Sequence, residues 1–191
     1  NQADFPAHAF ANLTKTPIVT TIHGFSSERI LPMYAPYQDR VHFVAISEAD
    51  RHPALRNAAT IHHGIPVDQF PFDARGSDDL LFFGRIHPDK GAAEAIAAAR
   101  ASGRAINLYG LVQDEGYHAS KVQPQIDDER VRYHGTVGGA QRVRALGSAG
   151  ALLHLINFEE PFGLSVVEAM ACGTPVIAMR RGSMPELIEH G

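Results

Sequence analysis

LLFFGRIHPDKGAAEAIAAARASGRAINLYG, residues 80–110, is the stretch whose reading decides the fold. Four apolar residues end in Gly84, a polar loop carries Arg85 and Lys90, an Ala-rich run follows, and a second apolar run begins at Ile106. The two apolar runs show no polar alternation, which suits strands of a parallel sheet covered on both faces. The segment between them has high helix propensity, and no role beyond that is assigned to its alanines. Strand, helix and strand in this order form a βαβ unit.

The same alternation extends outward. Strands are expected at 17–22, 41–46, 80–83, 106–109, 131–133, 151–156 and 175–178, and helices at 92–102, 115–125, 140–148, 163–171 and 184–189. The fold class is α/β and doubly wound. Before residue 70 there are two expected strands and short helices, too little for a whole α/β domain. The PFDARGSDD stretch, residues 71–79, is polar and turn-rich and reads as a linker. Residues 1–72 are therefore assigned to the end of one Rossmann-like domain plus linker, and residues 73–191 to a second. The chain has no starting Met, and its first nine residues read like mid-domain sequence, as expected of a piece of a longer protein.

Composition excludes several function classes. Of 191 residues, 45% are hydrophobic and 20% charged, which is globular rather than disordered. The formal charge of −4 argues against nucleic acid as the main partner. The single cysteine, Cys172, excludes a disulfide framework and a CxxC site, and reads as a small buried residue at a helix end. Apolar runs fall short of the roughly 18 residues of a membrane span, and no signal segment opens the chain.

Chemistry concentrates in EEPFGLSVVEAMACGTPVIA, residues 159–178. Pro161 belongs at or before a first helical turn. The helix after it is apolar or small all round except at Ser165 and Glu168, so Glu168 is a buried carboxylate that must have a partner. That partner is either a structural salt bridge or the hydroxyls of a ligand. Glu160 lies eight residues earlier, about 12 Å if helical, suited to the other end of an extended ligand. Between them the free amides of Phe162, Gly163 and Leu164 offer a phosphate site, with Gly163 letting a ligand approach the backbone. Hydroxyl-rich ends and a diphosphate middle describe a nucleotide-sugar. The loop FFGRIHPDKG adds Gly84, Arg85 and Lys90 beyond a strand's carboxyl end, two cations that suit a diphosphate unless the loop is simply solvated.

These two segments resemble the retaining glycosyltransferases of family 4, which have the two-domain GT-B fold. EPFGLSVVE resembles that family's E-x7-E motif and GRIHPDKG its G-R-x-x-x-x-K-G loop. The likeness continues in AMACGTPVIA, in RGSMPELIEHG, in TPIVTTIHG, which ends with His23, and in FVAISEAD and IHHGIPVDQF. Ser183 stands where the family usually has a second Gly, and His63 where it more often has Asn.

The resemblance implies that residues 1–72 finish the acceptor-side domain and residues 73–191 form the donor-binding domain, the N-terminal domain being incomplete here. Arg85 and Lys90 would bind the donor diphosphate and stabilise its departure. Glu168 would hold the ribose, and Glu160 the transferred sugar, with Gly84 and the amides from Phe162 to Leu164 near the phosphate. His23 would face the sugar from the opposite domain. The catalytic set is then His23, Glu160, Arg85 and Lys90. Transfer would retain anomeric configuration and need no cofactor and no metal, electrostatic stabilisation of the leaving phosphate being the main term. The loop 133–137 is a candidate base contact. The acceptor is open: a sugar, a lipid-linked glycan or a small molecule. The expected location is cytoplasmic, with peripheral membrane association allowed but not indicated, and the piece alone is expected to be inactive. A non-catalytic nucleotide-sugar binding module and a GT-B sugar-nucleotide epimerase stand as alternatives.

Other candidates carry less. His62 and His63 are assigned to a turn or surface, His87 to solvent, and His154 to the core. Glu186 is placed at a helix N-terminus. GxGxxG and GxxxxGK[ST] are absent, which argues against a dehydrogenase or an NTPase.

Overall fold

The computed structural model describes residues 6–24, 28–73 and 76–190, and divides the chain into two compact units. The first comprises residues 1–64, 159–162 and 181–191, and the second residues 65–158 and 163–180. Residues 1–5, part of the stretch read as mid-domain, lie outside the described residues, as do 74 and 75 of the expected linker.

In the first unit, β1 (Ile18–Ile22), β2 (Val41–Ala45) and β3 (Asn57–Thr60) form a parallel sheet in the order β1-β2-β3. A short helix α1 (Leu31–Tyr34) precedes β2. Ile22, Tyr34, Val41, Phe43 and Leu55 make its core. His8 is buried beside them and hydrogen-bonds Thr20 Oγ1 at 3.0 Å. The expected two strands become three. NAAT carries little β propensity, and its ladder to β2, not its own residue types, makes β3 a strand.

The second unit holds β4 (Leu80–Phe83), α2 (Ala92–Ala101), β5 (Ile106–Tyr109), α3 (Glu115–Tyr117), β6 (Val131–Tyr133), α4 (Gly139–Gly147), β7 (Ala151–His154), α5 (Leu164–Ala171) and β8 (Val176–Ala178). Its parallel sheet runs β6-β5-β4-β7-β8. Leu80, Phe82, Ile106, Leu108, Val131, Ala151 and Leu153 pack with Ala92, Ala95, Ile96 and Ala99 of α2. Those four helix positions are spaced one and two turns apart and are all fully buried. The alanines therefore do more than favour helix, since their small side chains form the face that lies on the strands. On the other face Leu81 and Leu152 are buried, with α4 packed on β4 and α5 on β7.

The remaining elements follow the expected places with shorter ends. The strand expected at 151–156 stops at His154 and the last at 176–178, while the final helix α6 covers Met184–Leu187. The helix expected over 115–125 is broken. After α3 it widens at His118–Val122 and tightens at Gln123–Gln125, where Pro124 has no N–H to continue the ladder. Described residues of the 71–79 stretch hold on to the second unit: Asp73 N–H donates to Cys172 O at 3.0 Å and Ser77 N–H to Ser148 O at 2.8 Å. Among the described residues no helix is long and apolar enough to cross a membrane.

Candidate functional site

In the second unit the strand order reverses at β4: β5 and β6 lie on one side of it, β7 and β8 on the other. The crevice beyond the carboxyl ends of two such strands is where open α/β sheets bind ligands. The loop after β4 is residues 84–91 and the loop after β7 begins at Leu155, so both segments singled out in the sequence leave this switch point.

The two loops are laced together. Asn157 N–H donates to Asp89 O at 2.7 Å, and its amide nitrogen to Pro88 O at 3.2 Å and Glu94 Oε1 at 3.0 Å. The Lys90 ammonium lies 4.5 Å from the centre of the Phe158 ring. Pro88–Lys90 is a 3-10 turn capped by His87, whose Nδ1 accepts from Asp89 N–H at 3.2 Å. His87 thus has a structural task rather than a solvent-facing one. Gly84 N–H donates to Tyr109 O at 3.0 Å, and the Arg85 guanidinium hydrogen-bonds Gln113 in the loop after β5. Arg85 and Lys90 share a loop, each steered by a different neighbour.

Glu168 is buried in α5, and its partner is Arg142 of α4. Arg142 Nε donates to Oε2 at 2.9 Å and Nη2 donates to the same oxygen, so Oε1 stays outside the pair. The guanidinium also covers the Phe83 ring, 5.1 Å from its centre. From Phe83 a stack continues to Tyr109 and on to His134, with ring centres 6.0 and 4.5 Å apart. Burial and the Arg132 charge lower the His134 pKa from its ordinary value, and His134 Nε2 meets Asn107 Oδ1 at 2.9 Å. Gly163, with φ of 95° in the left-handed region that favours glycine, caps α5. Among the described residues no acceptor is paired with the amides of Phe162, Gly163 or Leu164. Cys172 ends α5, buried, with its thiol pKa pushed up first by burial and then by Glu168.

The helix begins at Leu164, four residues after Glu160. The 12 Å helical spacing between the two carboxylates therefore does not apply. Residues 159–162 belong to the first unit and Glu168 to the second.

In the first unit residues 182 and 183 hold the 159–162 segment. Ser183 N–H donates to Glu160 O at 2.9 Å and Ser183 Oγ donates to Phe162 O at 2.7 Å. Gly182 N–H donates to Glu159 Oε2. Ser183 has φ of −75°, so a second glycine is not needed there, and the hydroxyl pins a carbonyl instead. His23 follows β1, is exposed, and stacks on His63, which follows β3. The ring centres are 5.2 Å apart and the planes differ by 6°. Phe162 meets His63 edge-on at 5.1 Å and is tilted to His62 at 5.7 Å. His62 is exposed, as assigned, and His63 half-buried, and both also carry ring contacts. Sequence reasoning flagged the His63 departure but could not see this stack, nor Arg142, Asn157 or Phe158.

Glu186 stands in the first turn of α6, as expected, and also does more there than meet the helix dipole. Its carboxylate accepts Glu48 N–H at 2.9 Å and Ala49 N–H at 2.8 Å, and meets His62 Nε2 at 2.9 Å. Burial pushes this carboxyl pKa up, but the two amides and His62 bring it net below its ordinary value. A depressed carboxylate stabilises the fold above its unfolded pKa, about 4.3, and that contribution disappears as pH falls through the folded value. Glu186→Gln is expected to cost about 1–2 kcal/mol at pH 7, and its deficit should shrink as pH drops below about 4. Thermal melts of both proteins from pH 7 to 3 check this; a deficit independent of pH contradicts it.

Among the described residues no group of three or more His, Cys, Asp or Glu side chains is placed to hold a metal. The parallel α/β sheets and switch-point loops define the class of fold, a partial Rossmann-like GT-B type, which solved glycosyltransferases share. A solved structure of AviGT4, a glycosyltransferase involved in avilamycin A biosynthesis, matches with a TM-score of 0.67 at 31% identity, over 76% of this chain and 46% of that one. Anabaena Alr3699/HepE in complex with UDP matches with a TM-score of 0.81 at 21% identity, over 96% of this chain and 59% of that one, a likeness of fold. Residues 77–191 match the model of the family described as glycosyl transferases group 1, and the chain belongs to that family. Glycogen synthase of Mycobacterium tuberculosis is 29% identical over 97% of this chain. The chain spans 52% of that relative, about half its length.

Proposed function

We propose that this chain carries the donor site of a retaining family 4 glycosyltransferase that takes a nucleotide-diphospho-sugar. The observation that carries the reading is the placement of both motif loops after β4 and β7, the strands at the sheet's switch point. Arg85 and Lys90 would meet the diphosphate, with the unpaired amides of residues 162–164 as further donors. Glu168 would offer Oε1 to ribose hydroxyls while Arg142 holds Oε2. Glu160 would contact hydroxyls of the transferred sugar and His23 the sugar near the reacting carbon. The HepE complex contains UDP, which supports a nucleotide as a ligand of the fold the two proteins share.

The test is calorimetric titration of the intact protein with UDP, GDP and ADP, repeated on Arg85→Ala, Lys90→Ala and His23→Ala. One nucleotide should bind, and loss of either cation should weaken it by about 1.5–3 kcal/mol. His23→Ala should leave that affinity in place and remove sugar transfer. Binding by no nucleotide, in a protein folded by circular dichroism, would sink the donor-site reading. Transfer that survives His23→Ala would remove His23 from the catalytic set.

A further inference from the structure

Parallel strands bring the residues that follow them to one edge of their sheet. β1 and β3 flank β2, and His23 and His63 are the first histidines past β1 and the second past β3. Their rings meet face to face, 5.2 Å apart and 6° from parallel. His23 is exposed, and among the described residues its ring meets that of His63, whereas His63 is half-buried and pressed edge-on by Phe162 at 5.1 Å. Phe162 is itself pinned, because its carbonyl accepts the buried Ser183 hydroxyl at 2.7 Å. Behind His63, His62 is tied to Glu186, whose carboxylate also takes the amides of Glu48 and Ala49. The supporting shell is therefore continuous from α6 through Phe162 and His62 to the free face of His63.

We infer that His63 is the positioning residue for His23: its ring is the plate that holds the plane of the His23 imidazole at the carboxyl edge of β1-β2-β3. The inference rests on the reading of His23 as the imidazole that works on the sugar, and it goes further by assigning what orients that ring. The motif departure at this position then has a physical content. An asparagine offers only a small amide plane to an imidazole, and a histidine offers a whole aromatic ring.

The electrostatics fit a plate. Burial, and next the charge on His23, lower the His63 pKa from its ordinary value of 6.5. The neutral form of His63 is therefore favoured, the form that lies against a neighbouring ring without repulsion. The groups facing it are His23 on one side, Phe162 on its edge, and the adjacent His62 with its Glu186 partner. As pH falls, a proton taken up by His63 makes the stack repulsive. The plate is present above the ordinary imidazole range and lost below it.

Two measurements on the intact protein test this. In the first, His63 is titrated by NMR, assigned by its disappearance in His63→Phe. Its midpoint should lie below 6.5 and should move upward in His23→Phe, which keeps a ring but removes the charge. A midpoint that stays in place overturns the stacked pair, whatever the protein catalyses. In the second, sugar transfer is followed in His63→Ala and His63→Phe. Loss of the plate in His63→Ala should lower kcat by about ten- to a hundredfold while donor KM stays nearly constant. His63→Phe should restore most of kcat and flatten its fall toward acid. Equal kcat in the alanine and phenylalanine variants, or unchanged kcat in His63→Ala, overturns the positioning role. Absence of transfer in the parent protein contradicts the functional reading instead, and the NMR titration still decides the pair.

Discussion

Gly91→Ala is expected to remove most of the stability of the second unit, whereas Gly103→Ala, at nearly the same backbone conformation, should cost little. Gly91 has φ of 72° and Gly103 φ of 69°, so an alanine at either pays the left-handed penalty of about 1 kcal/mol. The surroundings differ. A Cβ at Gly91 would stand 1.9 Å from Leu155 O and 2.7 Å from its carbon, while at Gly103 nothing lies within 4 Å. Relief at Gly91 would need backbone movement, because the obstacle is the chain just past β7. That chain cannot drift away cheaply, since Asn157 is bonded to the carbonyls of Pro88 and Asp89 on the same loop as Gly91. The combined cost is on the order of 4 kcal/mol or more, the scale reserved for backbone clashes and comparable to a domain's whole margin. Urea unfolding of the two variants beside the parent gives the difference. Similar losses at both positions would mean that the β4 and β7 loops do not approach as closely as the structure has them, and the switch-point site would lose its frame.

How much of this was legible in the sequence depends on the range of the interaction. β4, α2 and β5 were readable because apolar runs without polar alternation and an Ala-rich run of high helix propensity are local signals. β3 was not, since NAAT has no strand signature and takes its conformation from the ladder to β2. The demand for a Glu168 partner followed from burial alone. Naming Arg142 did not, because it lies 26 residues away on a helix that also carries Arg144, and only the packing of α4 beside α5 selects between them. His63 shows the same limit. Its identity was visible as a departure from a pattern, but its partner is forty residues upstream, and the meeting depends on both flanking β2 in one parallel sheet. Local chemistry was readable, and pairing across elements was not.

The Arg142–Glu168 pair decides whether Glu168 serves structure, ligand or both, and three variants separate these. The Glu168 side chain is 10% exposed and Arg142 33%. Arg142→Ala strands a carboxylate with little access to water, an expected loss of about 3 kcal/mol, at the low end for a broken buried pair because Arg142 is partly solvated. Glu168→Gln keeps an oxygen for the guanidinium and should cost about 1 kcal/mol. The double variant should resemble Glu168→Gln, because the charge that Arg142 was holding is gone, giving a coupling of about 3 kcal/mol. A purely structural pair predicts that nucleotide affinity follows stability, so that Arg142→Ala binds worst and Glu168→Gln nearly as well as the parent. A carboxylate that holds the ribose through Oε1 predicts the opposite order for Glu168→Gln. Its stability loss is the smaller of the two single changes, but its nucleotide affinity should drop at least tenfold, about 1.4 kcal/mol. Arg142→Ala should then weaken binding as well, by releasing the Oε2 end and letting the carboxylate turn. Denaturation and calorimetry on the same four proteins read both quantities, and an affinity order that simply copies the stability order would leave Glu168 with the salt bridge alone.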